Sequence, residues 1–118
     1  MGTGQPMREF IHTDDLANAI FQSLKVSKQK LNKIFKKNLP LINVGTGDEI
    51  SIKNLANLIT KYYDYKGNII FDSTFPDGTF KKNLNSSLIK KIGWKHKIKL
   101  NKGLKDLITL RRKKYVLQ

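Results

Sequence analysis

Three observations predict an α/β chain. Apolar residues recur at helical spacing in separate stretches, short apolar runs closed by glycine or Pro-Asp-Gly turns lie between them, and no internal repeat or low-complexity linker interrupts the alternation. A length of 118 residues predicts one domain, spanning 1–118.

The elements follow in order. Arg8 to His12 is short and β-compatible, and Thr13-Asp14-Asp15 has the capping chemistry and first-turn acids of a helix start. Leu16, Ala17, Ile20, Phe21 and Leu24 then form one apolar stripe, predicted to face the core. Lys25 to Asn38 carries six lysines around Val26, Leu31, Ile34 and Phe35 and reads either as a further helix or as a basic connection. Leu39 to Val44 reads as a buried strand ending in a Gly45-Thr46-Gly47-Asp48 turn. Ser51 is a candidate N-cap for a helix whose inner face would be Ile52, Leu55, Ala56, Ile59, Tyr62 and Tyr63, broken at Gly67.

Asn68 to Phe71 reads as a second strand, and Pro76-Asp77-Gly78-Thr79 is a turn by its chemistry. Phe80 to Asn85 is compatible with extended chain. Ser86 or Ser87 would cap a short helix through Leu88, Ile89 and Ile92 that stops at Gly93, with Trp94 packing back as core. Asn101 opens a last helix with Leu104, Leu107, Ile108 and Tyr115 inward and a basic cluster at Arg111 to Lys114 suited to a helix C-terminus. Two strands are few for a self-contained sheet, so the chain would be more comfortable as part of something larger.

Composition narrows the functional classes. A hydrophobic content of 39% is too high for a disordered polycation, and no apolar run reaches the ~20 residues of a membrane-spanning helix. There is no cysteine for a disulfide, thiolate metal site or nucleophile, and the opening six residues lack a signal-peptide core, so a cytoplasmic setting is expected. The formal charge is +14, carried by 20 lysines but only 3 arginines beside 10 asparagines and 13 isoleucines. All three abundant types have A/T-rich codons. Coding bias therefore explains much of the charge, whereas a surface that grips phosphates bidentately would favour arginine. A basic nucleic-acid or acidic-surface binding module is the alternative reading that the charge alone supports.

Several constellations do not carry chemistry. Gly2-x-Gly4 and Gly45-x-Gly47 lack the third glycine of a dinucleotide fingerprint. Tyr62 and Lys66 have the spacing of a reductase pair, but Gly67 puts Lys66 at a fraying helix end. His12 and His96 lie 84 positions apart, with no metal-ligand spacing around either. Asp14-Asp15 is expected from the helix macrodipole. Two outliers remain. Arg8 is a lone arginine between a Gly/Pro turn and a helix start, and Pro76 to Lys82 is a rigid turn offering a carboxylate followed by two cations.

Four stretches taken together resemble the GDP-L-fucose synthases, NADPH-dependent members of the extended short-chain dehydrogenase/reductases. They are Gly2-Thr3-Gly4-Gln5-Pro6-Met7-Arg8-Glu9-Phe10-Ile11-His12-Thr13-Asp14-Asp15, Ile42-Asn43-Val44-Gly45-Thr46-Gly47 before Ser51-Ile52, Phe71-Asp72-Ser73 with Pro76-Asp77-Gly78-Thr79, and Ile92-Gly93-Trp94. The resemblance implies the small C-terminal substrate-binding domain of an epimerase/reductase that converts GDP-4-keto-6-deoxy-D-mannose to GDP-L-fucose. The Rossmann domain, NADP(H) and the Ser/Tyr/Lys catalytic residues would lie outside this chain, which alone would be inactive and would hold no cofactor or metal. It further implies that Arg8, Asp77 and Lys82 bind the GDP moiety, with the cations on the diphosphate and the carboxylate on ribose or base donors. Met1 falls where the family has a tryptophan, and Asn85 and Leu88 where it has an acid and an arginine.

Overall fold

The computed structural model describes residues 2–35 and 40–116, with side chains to residue 113. The elements run β1 (Met7–Glu9), α1 (Thr13–Leu24), α2 (Lys28–Phe35), β2 (Glu49–Ser51), α3 (Ile52–Tyr63), β3 (Lys81–Lys82), α4 (Ser87–Ile92) and α5 (Leu100–Val116). The strands form one small mixed sheet ordered β2-β1-β3. β1 pairs antiparallel with β2, Arg8 opposite Ile50, and parallel with β3, Arg8 opposite Lys82.

The α/β expectation is met, with different strands. Leu39 to Val44 and Asn68 to Phe71 were expected as strands, yet residues 41–48 and 68–71 form no strand ladder among the described residues, and Ile70 is almost fully exposed. Leu39 itself lies outside the described residues, as do residues 36–38 of the basic stretch. An apolar run becomes a strand only when a partner satisfies its backbone groups, and here none is offered. β1 ends at Glu9, sooner than the expected His12, because His12 serves as the N-cap of α1, its Nδ1 accepting from the Asp14 N–H at 3.2 Å.

α3 begins as expected, with Ser51 Oγ accepting from the Asn54 N–H at 3.1 Å. It ends earlier than Gly67, at Tyr63, with Asp64 in the left-handed conformation. Lys66 therefore lies beyond the helix and pairs with Asp64 at 2.6 Å. At the start of α4 the capping contact comes from Asn85, whose Oδ1 accepts from the Ser87 N–H at 3.0 Å, and not from either serine side chain. An asparagine thus supplies the acceptor an acid would have offered. α4 stops at Gly93 with φ of 103°, as its sequence predicts.

The main core is Ala19, Ile89, Ile92 and Trp94, where α1 meets α4, flanked by Val26, Leu31, Ile34, Ile42 and Val44. Trp94 is core, as expected. α3 packs against α5, where Ile108 is buried, but Leu107 faces outward, and the Tyr115 side chain lies outside the described set.

The largest departure is α1. Its expected core stripe faces away from the core: Leu16, Ile20, Phe21 and Leu24 are exposed, Leu24 at 80%. The face that is buried holds Asp15 and Ala19. Ala19 lets α4 approach closely, and the Asp15 carboxylate accepts from the Lys97 N–H at 3.0 and 3.1 Å and the Ile98 N–H at 2.8 Å. This buried acid ties α1 to the segment leading into α5. The chain is also open in shape, with a radius of gyration of 18.2 Å, against roughly 13–14 Å for a compact domain of this length.

Candidate functional site

The sheet places Arg8 in the lining of a cavity. Before β1, the chain makes two close turns at Gly2 and Gly4, both with positive φ. A Cβ at Gly2 would collide with the Asp77 carboxylate and one at Gly4 with the Phe71 ring, so neither position accommodates a side chain. The carbonyls of Gly4 and Pro6 then accept from the Lys53 and Ile52 N–H groups at 2.8 and 3.1 Å. Those contacts use the first amides of α3, and Ser51 uses the third. The helix end is internally satisfied, and Arg8 is the group that offers donors to an anion.

The cavity measures about 510 Å³ and is lined by Gly2, Gly4, Pro6, Arg8 and Ile52 together with Phe75 to Gly78. That volume lies within the range of small-molecule sites, and mostly apolar walls with a few placed polar groups are their usual composition. Arg8 Nη1 donates to the Met7 carbonyl at 2.6 Å and to the Thr79 carbonyl at 2.9 Å. These bonds fix the guanidinium at the mouth of the Pro76 to Thr79 turn, half-buried.

Asp77 lies in the same cavity, but its carboxylate is engaged. Oδ1 accepts from the Thr3 N–H at 2.8 Å, and Oδ2 accepts from the Thr3 hydroxyl. Its first role is to latch the Pro76 to Thr79 turn onto the Gly2 to Gly4 turn and so close the cavity wall. Lys82 is the Cα partner of Arg8 across β1 and β3, yet it lines a second cavity of about 510 Å³ with Glu9, Val44, Gly45 and Leu84. Of the three site residues expected from sequence, the structure thus brings Arg8 and Asp77 into one cavity and sets Lys82 on the adjoining strand, exposed.

Two acids that tie the fold together were missed. Glu9 accepts from the Gly47 N–H at 2.7 Å, the Thr46 hydroxyl at 3.3 Å and the Leu84 N–H at 3.2 Å. Burial pushes its carboxyl up, but the hydrogen bonds from Gly47, Leu84 and Thr46 together outweigh burial and hold it below the ordinary glutamate value. Asp15 was read only as a first-turn acid. Its buried position was signalled by a face of small residues, Asp15, Ala19 and Ser23, opposite the apolar stripe.

Both Gly-x-Gly turns lead into strands, β1 and β2, and not into the helix N-terminus that cradles a dinucleotide's pyrophosphate. Among the described residues no three of His, Asp or Glu gather as a metal site, and no helix is long and apolar enough to cross a membrane.

No protein-family model matches the chain. It is 41% identical over 103 residues to the GDP-L-fucose synthase of Escherichia coli strain K12, a match that covers 87% of this chain and 32% of that protein. It is 38% identical over 104 residues to GDP-L-fucose synthase 1 of Arabidopsis thaliana, covering 87% of this chain and 29% of the relative. Among solved structures, a GDP-6-OMe-4-keto-L-xylo-heptose reductase from Campylobacter jejuni superposes with a TM-score of 0.84 at 37% identity, over 96% of this chain and 33% of that one. The chain spans about a third of the length of the curated relatives it matches. The four stretches from which the resemblance was read are thus accompanied by relatives named GDP-L-fucose synthase that match 87% of this chain.

Proposed function

We propose, from the premise that this chain belongs with the GDP-L-fucose synthases it resembles over 87% of its length, that it is the nucleotide-sugar-binding third of a cytoplasmic GDP-sugar epimerase/reductase. The single observation that carries the reading is the cavity. Its lining residues come from the Gly2 to Arg8 and Pro76 to Gly78 stretches that carry the sequence resemblance, with Phe75 and Ile52 beside them. Arg8 supplies a planar, permanently charged fork for a diphosphate. Phe75, Pro76 and Ile52 supply apolar surface against which a base and ribose rest. Lys82, one strand away, adds a point charge on the phosphates, and Asp77 holds the wall while keeping lone pairs for sugar hydroxyls.

In this reading the remaining two-thirds of the enzyme is a Rossmann domain that brings NADP(H) and the catalytic residues, and this chain alone turns nothing over. The exposed face of α1, with Ile20, Phe21 and Leu24, supports that division, because a contiguous apolar face implies a covering surface. The substrate would be a GDP-4-keto-6-deoxy-hexose.

Calorimetric or NMR titration of the chain with GDP and GDP-mannose tests the site. Saturable binding is expected, weakened about tenfold or more in Arg8→Ala, the weight of a lost hydrogen bond to a charged group. Absence of saturable binding, or equal affinity in Arg8→Ala, would overturn the assignment. A steep loss of affinity for generic DNA or RNA with salt, alongside indifference to GDP, would favour the basic-module reading instead. NADPH oxidation with the keto-sugar by the chain alone would refute its proposed inactivity.

A further inference from the structure

Glu9 lies on the central strand between the site arginine and Phe10, and its carboxylate grips both flanks of the sheet. Oε1 takes the Gly47 N–H and the Thr46 hydroxyl, in the turn that leads into β2. Oε2 takes the Leu84 N–H, just past β3. The turn approaches so closely that a Cβ on Gly45 would lie 2.3 Å from Oε1. β3 itself is only two residues long and pairs with β1 at Met7 and Arg8 alone. Two residues of ladder are a weak determinant of register, and both β3 side chains are exposed. The bond from Leu84 to Glu9 is the next point at which the segment carrying Lys82 is fastened to β1.

We propose that Glu9 is a positioning residue for the anion site: by holding Gly47 and Leu84 it keeps Lys82 in register beside Arg8, so that both cations act on one ligand. This rests on the GDP-sugar reading above. The charged groups around Glu9 are Glu49, its Cα partner on β2, Lys81, which pairs with Glu49 at 2.9 Å, and Lys82, which lines the same cavity. Asp48 follows the gripped turn and faces His96 at 3.5 Å. Because the folded carboxyl titrates below the ordinary glutamate value, the grip is complete at neutral pH and is lost as pH falls through that lowered value.

Two measurements on the 118-residue chain test the proposal. In the first, GDP is titrated at neutral pH into wild type, Glu9→Gln, Lys82→Ala and the double variant. Glutamine keeps the shape but must turn an amide N–H₂ toward Gly47 or Leu84, where an acceptor is needed. Glu9→Gln is expected to weaken GDP about tenfold in the wild-type background, as for a lost charge-assisted hydrogen bond, and to cost almost nothing when Lys82 is already alanine. An equal loss in both backgrounds would reveal general loosening and overturn the positioning role, as would no loss in either. In the second, the amide resonances of Gly47, Leu84 and Lys82 are followed against pH in wild type and Glu9→Gln. All three are expected to follow one titration below the ordinary glutamate range in wild type and to lose it in the variant. Should wild type fail to bind GDP, the GDP-sugar reading falls, and these amides still decide the geometry: a Lys82 amide indifferent to Glu9 overturns the proposal, and one that tracks it supports the proposal.

Discussion

Asp14 and Asp15 are adjacent acids in the first turn of α1 with opposite surroundings, and truncating each to alanine separates a macrodipole effect from a buried anchor. Asp15 is 4% exposed, and its carboxylate oxygens accept two backbone N–H groups through contacts of 3.0, 3.1 and 2.8 Å. Asp15→Ala leaves both donors without partners in a closed site. At about 1.5 kcal/mol for each hydrogen bond to a charged group, the loss is roughly 3 kcal/mol. The better helix propensity of alanine offsets about 0.5 kcal/mol of this, and the lost interaction with the helix dipole restores a similar amount. Against a domain stability of about 5–15 kcal/mol this is a large fraction, and at ~4 °C per kcal/mol it lowers Tm by about 12 °C. Asp14, whose side chain is 80% exposed, meets His12 at 3.8 Å as its ion-pair partner among the described residues, so Asp14→Ala costs about 0.5 kcal/mol or less. Asp15→Asn keeps one acceptor and falls between. Urea unfolding followed by circular dichroism gives all three values. A loss of under ~1 kcal/mol for Asp15→Ala, or equal losses for the two alanine variants, would refute the assignment of Asp15 as the anchor of the 97–98 segment.

Two further outcomes follow from packing. Gly103 sits inside α5, where alanine would ordinarily stabilise by ~1 kcal/mol, but its Cβ would lie 2.9 Å from the His12 ring, which is pinned as the N-cap of α1. Gly103→Ala is therefore expected to lower the unfolding midpoint, and a rise would show that the ring moves freely. On the exposed face of α1, Phe21→Ser and Leu24→Ser should each leave the stability of this chain within about 0.5 kcal/mol and improve its solubility, since both side chains are more than half exposed. A large destabilisation by thermal melt would mean that the stripe packs inward after all.

Much of the candidate site was legible before the structure. Arg8 stands out as a lone arginine behind a Gly/Pro turn, and the Pro-Asp-Gly-Thr turn announces itself by backbone chemistry, so the pieces of the cavity wall could be named. Their meeting could not. The Thr3 to Asp77 latch spans 74 positions and the Glu9 to Leu84 bond spans 75. Contacts of that separation leave no local pattern. The same reason explains Asp77, read as a ligand acceptor and found to be a latch.

By itself the sequence determined the local events: that α1 and α3 are amphipathic, that Ser51 caps and Gly93 stops, that Trp94 is core, and that four motifs align with one group of enzymes. These depend on residues within a turn or two of each other. Tertiary structure alone decided which face of α1 turns inward, which apolar runs find strand partners, and whether Arg8 and Lys82 share a cavity. Periodicity reports that a helix has an apolar side, but burial depends on what stands opposite. In this chain Ala19 and Asp15 meet α4 and the 97–98 backbone, while Leu16, Ile20, Phe21 and Leu24 meet no such surface among the described residues.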